Sequence, residues 1–195
     1  MLNHSSKTAA GWALAIVGLA HAVSAQAPAP APLAIPNPNY VSIPMEVTVN
    51  RPAAEVWKRV GKYCDIGEWA RIPCTITSGK DGELGAVRSV GSEILVGKTE
   101  LSYTYTQPVR EGRPYNLYHG TLEARPVTAT TSKLVYNLVF DNSLLADDAA
   151  RDRDKAQRTT QFTQFLENMK ILAEGGTLPP APPRGGGQKG GPPKQ

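Results

Sequence analysis

The sequence predicts an α+β fold. A curved antiparallel sheet of about six to seven strands wraps around one long C-terminal helix, and two short helices follow the first strand. Three patterns carry this expectation. First, Phe162, Phe165, Leu166, Met169, Leu172 and Ala173 recur at helical spacing within a segment running from about Ala146 to Ala173, and Gly175-Gly176 ends it. Second, the chain before it is a run of strand-like segments divided by short Gly- and Pro-containing turns, which implies antiparallel neighbours. Third, the other helical signals are confined to one stretch directly after the first strand.

The elements follow in order. Met45, Val47 and Val49 share one face of a strand over Ile43–Val49, while Glu46 and Thr48 share the other. Asn50 is placed to cap a helix, with Pro52 in its first turn and Glu55 close behind. Val56, Trp57 and Val60 form its buried face and Gly61 ends it. Asp65 starts a second short helix through Trp69, stopped before Pro73. The expected strands are then Cys74–Ser78, Ala86–Val90, Glu93–Lys98, Leu101–Gln107, Tyr115–Ala124 and Ser132–Asp141. The two halves of the long helix differ. Its first half offers only Ala149, Ala150, Ala156, Thr159 and Thr160 between charges, so either a space lies beneath it or that half is solvated. Arg151–Arg158 reads as a solvated face in which Asp154 and Arg158 can pair.

The ends divide from the folded part by composition. Residues 1–25 read as a secretory signal peptide: Lys7, then an apolar run over Ala9–Ala22 too short to span a bilayer, then Val23-Ser24-Ala25. Residues 26–40 form an Ala/Pro-rich linker, residues 41–176 the folded domain, and residues 177–195 a Pro/Gly-rich basic tail expected to be disordered. The expected location is therefore the bacterial periplasm. The formal charge of the whole chain is +4, but Lys7, Arg184, Lys189 and Lys194 lie outside Gln26–Glu174, which is neutral. A neutral domain lacks the clustered basic surface that nucleic acid needs. No stable membrane span is expected, and the sequence does not encode an oligomeric state.

Few residues point to chemistry. Cys64 and Cys74 are the only cysteines; in an exported chain they are expected to form a disulfide closing the loop over Asp65–Pro73, the alternative being two buried thiols. His119 is the only histidine beyond the leader, which removes His-cluster zinc sites and makes any His-dependent triad rest on this one residue, and it alternates onto the more polar face of its strand. No catalytic residue, metal or cofactor is assigned. The tyrosines say more. Tyr103 and Tyr105 share a face with Leu101 and Gln107, Tyr118 shares one with Gly120 and Leu122, and Tyr136 shares one with Leu134, Leu138 and Phe140. If these faces look inward, several hydroxyls need partners in one interior, as a pocket holding water or an amphipathic ligand would supply. Trp69 forms either the mouth of such a cavity or a plug in the core beside Trp57.

The frame Val49-Asn50-Arg51-Pro52-Ala53-Ala54-Glu55-Val56-Trp57 resembles the opening of the START/SRPBCC superfamily, as do Gly85-Ala86-Val87-Arg88, the following Glu93, and Tyr103-Thr104-Tyr105. The likeness is to its polyketide cyclase/dehydrase-like branch and covers Ile43–Glu174. It implies a helix-grip fold around an apolar cavity, and a small hydrophobic ligand more than a reaction. It also implies that Glu93 points inward, as an acidic residue does in some relatives; read from the residues alone, Glu93 is expected to be a solvated edge residue. The expected binding set is Trp69, Glu93, Tyr103, Tyr105, Tyr118, Tyr136, Phe162 and Phe165. The expected function is an exported binding or carrier protein for a small hydrophobic or amphipathic molecule held between sheet and helix. The alternatives are a polyketide cyclase- or dehydratase-like enzyme using Glu93 and a tyrosine, and an envelope interaction module with no functional cavity.

Overall fold

A computed structural model describes residues 37–110 and 112–180 of the protein. The expected signal peptide, the linker up to residue 36 and the tail beyond residue 180 lie outside the described residues. The element order is β1 (Tyr40–Val49), α1 (Ala53–Val60), α2 (Ile66–Trp69), β2 (Ile76–Ser78), β3 (Val87–Arg88), β4 (Glu93–Lys98), β5 (Ser102–Gln107), β6 (Asn116–Pro126), β7 (Ser132–Asp141) and α3 (Asp148–Ala173). One curved seven-stranded antiparallel sheet has the order β1-β7-β6-β5-β4-β3-β2. Among the described residues, no helix is long and apolar enough to cross a membrane.

Period-two alternation sets the inner face of the sheet. Ile43, Met45 and Val49 of β1, Leu134, Tyr136, Leu138 and Phe140 of β7, and Tyr118, Leu122 and Ala124 of β6 are all buried. Register lines up Met45 with Tyr136, Tyr136 with Leu122, and Leu122 with Tyr103. Gly120 sits opposite Tyr105, and a Cβ there would lie 2.4 Å from the tyrosine ring. That position is glycine because the ring occupies the space a side chain would need. His119 points to the outer face, as its alternation predicts, in register with Thr106 and Val139.

The helix ends differ in detail from the expectation. Pro52, rather than Asn50, occupies the N-cap of α1 and supplies no side-chain bond. The Asn50 N–H instead donates to Glu174 Oε1 at 2.8 Å, tying the β1–α1 corner to the end of α3. Helix α3 begins after Asp147, whose carboxylate accepts from the Ala150 N–H at 2.7 Å. It ends with Gly176 N–H on the Ile171 carbonyl and Gly175 N–H on that of Leu172, with Gly175 at φ 88°. Leu166, Met169 and Leu172 carry the buried face of its second half.

Cys64 and Cys74 are joined by a disulfide. The loop it closes contains α2 and Trp69, which is fully buried, lies 5.6 Å from Phe165 ring to ring, and accepts on its carbonyl from Asn168 Nδ2 at 2.8 Å. The bridge therefore pins the segment on which α3 rests. Closing a loop this short stabilises by roughly 2–3 kcal/mol. Replacing both cysteines by serine is expected to lower unfolding free energy by about that amount in urea titration. Adding reductant should destabilise the native protein and leave the double variant unchanged.

Asp141 ends β7 and is 1% exposed. Burial alone would raise its pKa, but the Ser143 and Asn39 N–H groups and the Ser143 hydroxyl, at 2.8–3.0 Å, hold it below its ordinary value. A carboxyl with a depressed folded-state pKa stabilises fully above its unfolded value, about pH 4, and that contribution is lost as pH falls through the folded value. Asp141→Asn should accordingly be less stable than the native protein at neutral pH, with the difference shrinking as melting is followed to more acidic pH.

Candidate functional site

Arg88 and Glu93 face each other across the β3–β4 turn and are 0% and 3% exposed. Arg88 Nε donates to Glu93 Oε2 at 2.6 Å, with Nη2 2.5 Å from the same oxygen, and Nη1 donates to the Tyr63 carbonyl at 2.6 Å. Glu93 Oε1 accepts from Gln107 Nε2 at 2.8 Å, and Gln107 Oε1 accepts from the Tyr115 hydroxyl at 2.6 Å. A polar thread thus runs from the α1–α2 connection across β3, β4 and β5 to the start of β6. The guanidinium carbon lies 4.4 Å from the ring centre of Tyr63, 4.8 Å from that of Tyr105 and 5.7 Å from that of Tyr103. Burial pushes the Glu93 carboxyl up, and Arg88 and Gln107 act against that rise. For Arg88 burial acts downward, but Tyr103 and Glu93 outweigh it and raise its pKa. The expectation of a solvated edge for Glu93 is wrong: it is the counterion of a buried arginine.

A second arginine lies under the first half of α3. Arg158 pairs with Asp154 at 2.8 Å and sits 4.6 Å from the ring centre of Phe140, 4.8 Å from that of Tyr115 and 5.4 Å from that of Tyr118. The expected pair forms, but Arg158 is not part of a solvated face. Ala149, Ala156 and Thr160 of this half are exposed, and Arg158 covers the aromatic rings beneath it.

A cleft of about 600 Å³ opens elsewhere, between α1 and the β4–β5 turn. Trp57, Tyr63, Leu95 and Tyr103 make its aromatic and apolar surface; Lys58, Lys62 and Lys98 stand around it with Asp81 and Glu100. Trp57 lies across Gly61, where a Cβ would be 2.3 Å from the indole, and packs at a tilt on Tyr103, ring centres 5.7 Å apart. The hydroxyls of Tyr63 and Tyr103 are buried without a partner among the described residues.

No family model matches the sequence, and no curated protein does. Solved structures do. A Thermobifida fusca protein has a TM-score of 0.57 at 24% identity, covering 68% of this chain and 92% of its own. A Nitrosospira multiformis protein has 0.53 at 21%, covering 68% and 96%. Truncated norcoclaurine synthase from Thalictrum flavum has 0.51 at 11%, covering 72% and 97%. The likeness shows the fold: the chain has the helix-grip architecture, a curved antiparallel sheet with a long C-terminal helix.

Within this helix-grip frame, the space between sheet and α3 is occupied by the protein's own side chains. Tyr136 and Tyr105 are fully buried and joined by their hydroxyls at 3.0 Å; Phe162 packs on Tyr136 at 4.9 Å and on Phe165 at 5.2 Å. The structure therefore brings Glu93, Tyr103 and Tyr105 together around Arg88, and places Tyr136, Phe162, Phe165 and Trp69 in a row of core contacts. Tyr118 belongs to the Arg158 cluster. Of the expected binding set, only Tyr103 lines the 600 Å³ cleft. Trp69 is the core plug, not a cavity mouth. Burial raises the tyrosine pKa values, that of Tyr118 to about 12, so these hydroxyls remain protonated at neutral pH.

Sequence reasoning missed Trp57, Tyr63, Leu95 and the three lysines as a site. It met Arg88 only within the Gly85-Ala86-Val87-Arg88 motif, although Ala86 and Arg88 share a face of their expected strand and both are buried.

Removing one partner of a buried ion pair leaves an uncompensated charge, at a cost of roughly 3–5 kcal/mol, whereas replacing both by apolar residues is often neutral. Arg88→Met and Glu93→Met should each lose stability on that scale in urea unfolding, and the double variant should recover most of it.

Proposed function

We propose that the protein is an exported binding or carrier protein for a small hydrophobic or amphipathic ligand, held in the cleft between α1 and the β4–β5 turn. The observation that carries this reading is the cleft itself. Its volume of about 600 Å³ falls in the range that accommodates small molecules, and its surface combines indole, phenol and leucine side chains with a charged margin. Export is supported by the Cys64–Cys74 disulfide, a bond that persists in oxidising compartments, together with the leader-like composition of residues 1–25.

The enzyme reading has less support. Glu93, its only candidate acid or base, has both carboxylate oxygens engaged by Arg88 and Gln107 and is closed off from solvent. A group that works by proton transfer has to reach the substrate.

The test is native mass spectrometry of the mature protein from its own envelope, before and after organic extraction. A discrete extractable mass bound one-to-one is expected. Trp57→Ala purified the same way should carry about tenfold less of it, since an aromatic wall of this kind is where binding energy concentrates. Full occupancy on a folded Trp57→Ala protein would place the ligand outside the cleft.

A further inference from the structure

The cleft walls constrain the ligand's polar end. We infer, resting on the cleft reading above, that the ligand is an amphipathic oxyanion: an apolar, ring-sized body against Trp57, Leu95 and Tyr103 that carries a carboxylate toward the lysines.

Two independent features lead here. The first is the arrangement of charge at the margin. Lys58 lies in the last turn of α1 and Lys62 two residues past its end, both lining the cleft with Trp57, and Lys98 lines it from the end of β4. Asp81 and Glu100 also line the margin, yet among the described residues none of the three lysines forms an ion pair with them. Lys98 donates one hydrogen bond, to the Gly82 carbonyl at 2.6 Å, and retains further donors. The ammonium groups are thus free to receive an anion from outside the chain.

The second feature is the imbalance of polar atoms behind the wall. Two residues that line the cleft, Tyr63 and Tyr103, have buried hydroxyls without a hydrogen-bond partner among the described residues. Both can donate. The nearby acceptors, the Tyr63 carbonyl and both Glu93 oxygens, already accept bonds. A site left with spare donors at its wall and free ammonium groups at its margin is complementary to a ligand rich in acceptors. The apolar surface between them favours a ligand with an apolar body over a small hydrophilic anion.

Calorimetric titration of the full-length mature protein with two probes of one shape tests this: 2-naphthoate and 2-naphthalenemethanol. The carboxylate should bind about tenfold more tightly than the alcohol, the scale of one charge-assisted hydrogen bond. That preference should disappear in Lys58→Gln/Lys62→Gln, whose exposed side chains carry little stability. Equal binding of the two probes, or a preference that survives in the double variant, would overturn the oxyanion assignment and leave the cleft reading standing. Failure of both probes to bind would overturn the cleft reading itself.

Discussion

A single buried cation organises the interior. Arg88 is wholly enclosed, and a guanidinium remains charged at any pH the protein meets. Its charge must be balanced inside the fold, since an unpaired buried ion costs several kcal/mol. Glu93 supplies the counter-charge from the next strand, the Tyr63 carbonyl fills a second donor, and three tyrosine rings present their negative faces. The partners come from the α1–α2 connection, β4 and β5. The position of the α1–α2 connection, the turn between β3 and β4, and the rotamers of Tyr103 and Tyr105 are therefore set by one charge. Gly120 belongs to the same constraint, because it clears the space for the Tyr105 ring.

Arg158 solves a related problem at the opposite end of the sheet. The first half of α3 carries no large apolar side chain on its inner side, so it cannot bury itself in the ordinary way. Arg158 lays its stem and guanidinium over Tyr115, Tyr118 and Phe140 and keeps Asp154 as its counterion. The two arginine clusters are joined through Tyr115, which donates to Gln107 on one side and lies under Arg158 on the other. Cation–aromatic packing thereby fills a region that an apolar cavity would otherwise occupy.

This arrangement explains what the sequence revealed and what it concealed. Element order was legible throughout, because alternation in β1, β6 and β7 and the stripe in α3 are local signals. The inward tyrosines were legible for the same reason. Glu93 was ambiguous: a carboxylate on an inward face is unfavourable until Arg88, five residues away, is known to point the same way. The charge run containing Arg158 looked solvated because its aromatic partners come from β6 and β7, distant in sequence. The cleft was invisible. Its walls come from the end of α1, the β2–β3 turn and the β4–β5 turn, and no periodicity links Trp57, Asp81 and Leu95. A loop-closing disulfide was easier to see, since both cysteines lie within one short stretch.

The cleft and the buried ion pair share their walls. Tyr63 and Tyr103 line the cleft on one side and enclose Arg88 on the other, and their rings touch at 5.4 Å in an edge arrangement. Trp57 packs at a tilt on the same Tyr103. A ligand lying on Tyr103 would therefore meet a ring whose position is fixed from behind by a charge. That is preorganisation: the ordering of the aromatic wall is completed in folding, and binding does not have to supply it again. The buried ion pair then has a role beyond its doubtful net contribution to stability. It holds two rings still at the surface where a small molecule would bind, and it would be felt in binding as a positioning effect without touching the ligand.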